Sequence, residues 1–350
     1  MAGLAVVPLA GMPPVAAGDD LAALLLVAVR AAGEDLEPGD VLVVSSKVVS
    51  KALGLWADPG LDRDDVVAAE TRRVVAERRT GDRVTRVVHA EAGPVMAAAG
   101  VDASNTGDSD RLLLLPREPD AAAREVRAAL RAAGAPAEVA VVLSDTAGRP
   151  WRSGQTDFAL GVAGLEVLDD LRGGRDADGR PLAVTARAVA DELAAAADLV
   201  KGKVEGVPAA LVRGASAWVR TDDGPGAGAL VRTGPGDWFS LGHAEAVRAS
   251  LGVTPGSPAA AACGIPATHP EPVADRLGRA VRVALHGLDG VAVDAGTSDV
   301  RVSAASPYAL GLAVARLAAA LWGEGLTTQV PEEVPGLELE LPVTEREPGS

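Results

Sequence analysis

The chain has 350 residues and a formal net charge of −15 at pH 7, long enough for two domains or one large one. A surface that acidic excludes nonspecific nucleic-acid binding but not a locally positive pocket for one anion. The single cysteine, Cys263, excludes an intramolecular disulfide and fits a reducing, cytoplasmic setting. With no basic-then-apolar leader and no window near about 18 uninterrupted apolar residues, neither a signal peptide nor a membrane span is expected.

Taken in chain order, "GDDLAALLLVAVRAAG" predicts a helix capped at Asp19-Asp20, and "GDVLVVSS" a short buried strand ending at Ser45-Ser46. "DDVVAAETRRVVAERR" predicts a helix whose arginines form local ion pairs with Glu70 and Glu77, and "DRVTRVVHA" a strand. "SDRLLLLP" is strand-like up to Pro116. "PDAAAREVRAALRAAG" is a helix from Pro119 to Gly134. "AEVAVVLSD" predicts a buried strand, "TARAVADELAAAADLVKG" a long helix and "VPAALVRG" another strand. Residues 222–236 are a loop rich in turn formers. Beyond it come a helix-like stretch, a Pro/Ala-rich connector, two short strands in "GVAVDAGTSDVRVSA" and the helical "PYALGLAVARLAAALWGEG". The expected fold is mixed α/β (α+β), with one domain over residues 1–242 and a small α+β module over 243–350. Ligands in such sheets bind beyond strand ends.

Lysine is nearly absent. Of 33 basic residues only Lys47, Lys51, Lys201 and Lys203 are lysine, and Asn105 is the only asparagine, as in a protein from a very G/C-rich genome. Arginine replaces lysine wherever the two are equivalent, but not where a compact ammonium is required, so the lysines are candidate functional positions. If a helix starts after Ser46, then Ser46 and Ser50 share one face and Lys47 and Lys51 share another, an arrangement suited to phosphate oxygens. Lys201 and Lys203 either approach the same anion or complement a helix dipole. "VDASNT" sets Asp102 three residues before Asn105, either a turn or a hard-cation ligand beside an amide. In "VVLSDTAGRPWRSGQTD" a strand delivers Asp145 and Thr146, followed by Gly148, Arg149, Arg152, Gly154 and Gln155; this set suits a metal-bound anionic substrate. No P-loop and no Gly-x-Ser-x-Gly elbow occurs.

The ordered segments "PLAGMPPVAAGDDL", "GDVLVVSSKVVSKALG", "GPVMAAAGVDASNT", "LSDTAGRPWRSGQTDFALGVAG", "AVADELAAAADLVKGK" and "VPAALVRG" resemble the coenzyme F420-0:L-glutamate ligase (F420 gamma-glutamyl ligase) family over roughly residues 7–214. The resemblance implies an intertwined homodimer that uses GTP to join L-glutamate to coenzyme F420-0, and then further γ-linked glutamate, through an acyl phosphate. It implies Mn²⁺ or Mg²⁺ held by Asp102, Asp145 and Thr146, and K⁺ as a stimulating ion. It also implies GTP contacts at Met12, Pro13, Pro14, Val15, Ser46, Lys51 and Asn105, with Lys201, Gly202 and Lys203 bordering the nucleotide. No pattern marks a base for the glutamate amine, and the C-terminal module carries no motif of a flavin-binding reductase. Two other readings stay open: a GTP-binding regulatory protein without catalysis, and a glutamate ligase for another acceptor such as a pterin.

Overall fold

The computed structural model describes residues 3–103, 111–202, 205–333 and 336–346. The chain divides into two compact units, residues 1–72 with 89–233 and residues 73–88 with 234–350. The division differs from the expected cut at residue 242: residues 73–88 leave the first unit and belong to the second.

In the first unit β1 (Ala5–Pro8), α1 (Leu21–Ala31), β2 (Val41–Ser45), α2 (Ser46–Ala52) and α3 (Arg63–Ala69) come first. Asp20 caps α1 by accepting from the Ala23 amide. The helix expected through residue 79 stops at Ala69, and Thr71–Thr80 is instead strand β3, turning at Gly81 into β4 (Arg83–Ala90), a hairpin most of which belongs to the second unit. β-branched Thr71, Val74 and Val75 favour the extended form. The charges there pair across the fold rather than along a helix: Glu70 takes Arg117, and Glu77 takes Arg86. After β5 (Val95–Ala97) the stretch expected to be a strand near Leu112–Leu115 makes only isolated bridges, Leu113 to Trp56 and to Asp102. Next come α4 (Pro119–Ala132), β6 (Ala140–Arg149), β7 (Arg152–Ala163), the short β8 (Asp169–Asp170) and β9 (Ala186–Arg187), α5 (Val189–Asp198) and β10 (Ala209–Arg213).

The central sheet has the order β1-β10-β2-β6-β7. β2 and β6 run parallel; the other neighbours are antiparallel. Strand side chains alternate faces, and both faces are covered. Leu42, Val44, Val141, Leu143 and Leu211 pack under α1, α2 and α4. Val41, Val43, Val142 and Val212 pack under α5. The unit is thus a helix–sheet–helix sandwich around a mixed sheet, the α/β class expected. Arg127 on α4, 1 % exposed, ties the helix down by donating to the Val139, Ala137, Arg220 and Thr221 carbonyls and to Asp223.

The second unit contains α6 (His243–Ser250), α7 (Pro258–Cys263), α8 (Val273–Leu285), β11 (Val291–Ala295), β12 (Asp299–Ala304), α9 (Pro307–Gly323), β13 (Leu326–Thr328) and β14 (Glu338–Glu345). Its antiparallel sheet has the order β11-β12-β14-β13. The apolar core joins Val300, Val302 and Leu341 of the sheet to Leu277, Leu310 and Leu317 of α8 and α9. Beside this core Arg279 bridges Glu271 and Glu324, and Arg248 also pairs with Glu324. Among the described residues no helix is long and apolar enough to cross a membrane.

Gly161 lets α4 approach β7: a Cβ there would meet the Pro119 carbonyl oxygen at 2.3 Å and its carbon at 2.5 Å. Backbone cannot step aside as a side-chain tip can. Gly161→Ala should therefore destabilise the protein by about 1–3 kcal/mol, read as a lower urea midpoint at unchanged m-value.

Candidate active site

Strand ends build the site. Ser45 of β2 pairs with Ser144 of β6, so at one edge of the sheet β2 ends while β6 runs on beside β7, carrying Asp145 and Thr146. β10 begins at the same edge, where the Pro208 carbonyl accepts from Ser45 N at 2.8 Å. β1 also ends there, Pro8 opposite Ala210, and sends residues 12–15 across the opening. Met12, Pro13, Pro14 and Val15 line a cleft of about 450 Å³ together with Lys47 and Lys51 of α2, Asp102, Ser144, Asp145 and Thr146 of β6, Asp157 of β7, Asp198 at the end of α5, and Lys201 and Gly202 after it. Ser45, Val48 and the segment Gly206, Val207 and Pro208 complete it.

Local structure aims each group. α2 starts at Ser46 and turns its serines inward: Ser46 and Ser50 are buried, while Lys47 and Lys51 line the cleft. The spacing of i and i+4 thus separates a serine face from a lysine face. Lys47 Nζ lies 2.6 Å from Asp102 Oδ2. Asp102 is fixed by reciprocal backbone bonds with Leu113, 3.0 and 2.8 Å, and follows three left-handed residues, Ala98, Ala99 and Gly100. Alanine in that region is strained by roughly 1–2 kcal/mol per residue, so the turn that delivers Asp102 is held by its surroundings.

On the opposite wall Lys201 and Asp157 form a buried ion pair at 2.6 Å. Asp157 also accepts from Ser144 Oγ at 2.8 Å and Thr146 Oγ1 at 2.7 Å. Burial alone would raise the Asp157 carboxyl, but the Lys201 charge and the three donors outweigh it and hold it below the ordinary carboxylate value. Lys51 is pushed below the ordinary lysine value, first by burial and then by the Lys47 charge, with Asp102 pulling the other way. Such a lysine gains proton affinity when an anion arrives. Among the described residues the cleft sets three lysines against four aspartates, an arrangement for a bound anion with a cation beside it.

The oxygen donors Asp102, Asp145 and Thr146 suit a hard divalent cation. Among the described residues no three carboxylate, imidazole or thiol groups close on one point. That is compatible with Mg²⁺ or Mn²⁺, which bind through one or two carboxylates and complete their shell with water and phosphate oxygens. The donor set fits.

The sequence model of the F420-0:Gamma-glutamyl ligase family matches residues 11–214. A Methanothermobacter thermautotrophicus protein named coenzyme F420:L-glutamate ligase is 41 % identical over 227 residues, covering 61 % of this chain and 89 % of that protein. Relatives of the same name from Halobacterium salinarum and Halorubrum lacusprofundi are 44 % and 40 % identical, each covering 58 % of this chain and 84 % of the relative. The chain belongs to the F420-0:gamma-glutamyl ligase family.

Of the residues that the resemblance to the gamma-glutamyl ligases nominated, Met12, Pro13, Pro14, Val15, Lys51, Asp102, Asp145, Thr146, Lys201 and Gly202 meet in this one cleft. Ser46 is buried, and Ser45 lines the cleft instead. Asn105 and Lys203 lie outside the described residues. Arg149, Arg152 and Gln155 are exposed toward the far end of the β6–β7 hairpin and do not line the cleft. Sequence reasoning missed Asp157, Ser144 and Asp198. Alternation along β6, which puts Ser144 and Thr146 two residues apart, was the available signal for Ser144.

The four lysines make Lys51 readable by NMR. Titrated through its ¹³Cε shift, Lys51 should lose its proton below the ordinary lysine value. Lys47→Met, which removes a repelling charge, should move it up. Asp102→Asn, which removes an attracting one, should move it further down. A Lys51 that ignores both substitutions contradicts this electrostatic picture.

Proposed function

We propose that the protein uses GTP to form an amide between L-glutamate and the terminal carboxylate of coenzyme F420-0, and then adds glutamate through a γ linkage. The observation that carries the proposal is the meeting, in one cleft of a gamma-glutamyl ligase family member, of three of the chain's four lysines with Asp102, Asp145 and Thr146. The relatives' name, coenzyme F420:L-glutamate ligase, supplies donor and acceptor.

A carboxylate is a poor electrophile. Its oxygen attacks the γ-phosphorus of GTP, the bond to the bridging oxygen breaks, and GDP departs from an acyl phosphate. The glutamate nitrogen then attacks the acyl carbon and gives up a proton, and the carbon–oxygen bond to phosphate breaks to release phosphate. Both steps need placement and charge neutralisation more than covalent help from the protein. Lys51 and Lys201 meet phosphate oxygens from two walls. Residues 12–15 offer an apolar edge, with Met12 and Val15 packed on the core behind. Lys201–Gly202 borders the nucleotide on the other side. Asp102, Asp145 and Thr146 would hold Mn²⁺ or Mg²⁺, which supplies positive charge to phosphoryl oxygens when bound. K⁺ is proposed as a stimulating ion and a homodimer as the working form, acting in the cytoplasm.

Incubation with GTP, Mn²⁺, glutamate and F420-0 should yield glutamylated product by mass spectrometry, together with GDP. The absence of both sinks the proposal. Asp102→Ala and Asp145→Ala should each abolish turnover while leaving the circular dichroism spectrum intact; retained turnover in either removes that residue from the metal site. Lys51→Arg should weaken GTP binding about tenfold, or about 1.4 kcal/mol, because a planar fork cannot replace a compact ammonium in a narrow cleft. Unchanged affinity would show that any cation suffices.

A further inference from the structure

Two carboxylates of the cleft, Asp157 and Asp198, have no part in that scheme, and Asp157 is the buried one. Asp157 sits on β7 opposite Thr146 of β6 and is 5 % exposed. Thr146 donates to its Oδ1, and Ser144 and Lys201 donate to its Oδ2. An ionised carboxylate can only accept, so the direction of every hydrogen bond around it is fixed. Thr146 has one hydroxyl proton and spends it on Asp157, leaving only oxygen lone pairs for the cleft. Ser144 likewise donates to Asp157 and accepts from Lys201 at 2.6 Å. Lys201 has three N–H groups; among the described residues two go to Asp157 and Ser144, and the third is left for a ligand.

We infer that Asp157 is a positioning residue that sets the polarity of the cleft floor: it makes Thr146 a pure acceptor, fit for a cation, and Lys201 a fixed donor, fit for an anionic oxygen. The inference rests on the proposed role of Thr146 at a divalent cation. An asparagine at 157 would present an N–H₂ where an oxygen now stands. A hydroxyl would then have to accept, freeing a proton to point toward the cleft and repel the cation.

Mn²⁺ binding to the 350-residue chain, followed by electron paramagnetic resonance of the free ion, tests this without turnover. Asp157→Asn should bind Mn²⁺ about 10- to 100-fold more weakly, and so should Thr146→Val. The double variant should be no weaker than Thr146→Val alone, because both changes act through one oxygen. Wild-type affinity in Asp157→Asn, or additive losses in the double variant, overturns the inference. Asp157→Asn strands the buried Lys201 charge and can unfold the protein. Lys201→Met is therefore compared with Asp157→Asn/Lys201→Met, where the same 10- to 100-fold step is expected and its absence counts against Asp157. A wild-type chain that binds no Mn²⁺ overturns the positioning role together with the cation site. Mn²⁺ binding that weakens in Asp157→Asn, in a chain that transfers no glutamate, upholds the positioning role while the ligase proposal fails.

Discussion

Two strands that run side by side in the same direction must be joined by a crossover, and the pair formed by β2 and β6 imposes this on everything around it. At one edge of the sheet β2 ends while β6 runs on beside β7, and the crossover between β2 and β6 passes through α2, α3, the turn carrying Asp102, and α4. The antiparallel neighbours bring the start of β10 and the end of β1 to the same edge. The cleft is therefore a product of topology before it is a product of side chains. Once valines and leucines have filled both faces of the sheet, the polar residues that follow each strand have nowhere else to collect.

What could be read in the sequence tracks how local the deciding interactions are. α1 carries its own cap and α4 a proline in its first turn, and β2 and the first half of β6 are runs of small and branched apolar residues; each was legible because its own residues decide it. β3 was not. "ETRRVVAERR" fits a helix as well as a strand, and its choice is made by partners remote in sequence, such as Glu245, which accepts from the Glu77 amide. The site shows the same contrast. Asp102 and Asp145 stand out as single acids beside a turn or strand end. Asp157 does not, because register decides its place. Counting back from the turn would set Gln155 across from Thr146, but the pairing is irregular at Gly148/Arg149 and puts Gln155 against Gly148 and Asp157 against Thr146. Ser153 and Gly154 are the two extra residues, and Gly154 takes a left-handed φ of 83° that a side chain would strain. A displacement of two residues thus exchanges a surface amide for the acid of the cleft floor.

The two cations divide the labour by shape. Arginine serves the architecture, where a planar fork reaches several acceptors at once: Arg127 gathers carbonyls beneath α4, Arg213 joins Asp40 to Glu34, and Arg279 joins Glu271 to Glu324. Lysine serves the cleft, where a single mobile charge must adapt to a ligand that comes and goes. In a chain so biased toward arginine, that partition is visible as plain composition.

The excursion of residues 73–88 into the second unit bears on how the protein could have been assembled and how it can be taken apart. Their contacts there are specific: Arg78 and the Glu77 amide both bind Glu245, and the Gly256 amide binds Glu77. No single cut in the gene separates the two units, since a stop codon after residue 233 would leave this hairpin without Glu245, which accepts from Arg78 and from the Glu77 amide. Removing the module alone would take away the seat of this sixteen-residue hairpin, so hairpin and module depend on one another although more than a hundred residues separate them in the chain.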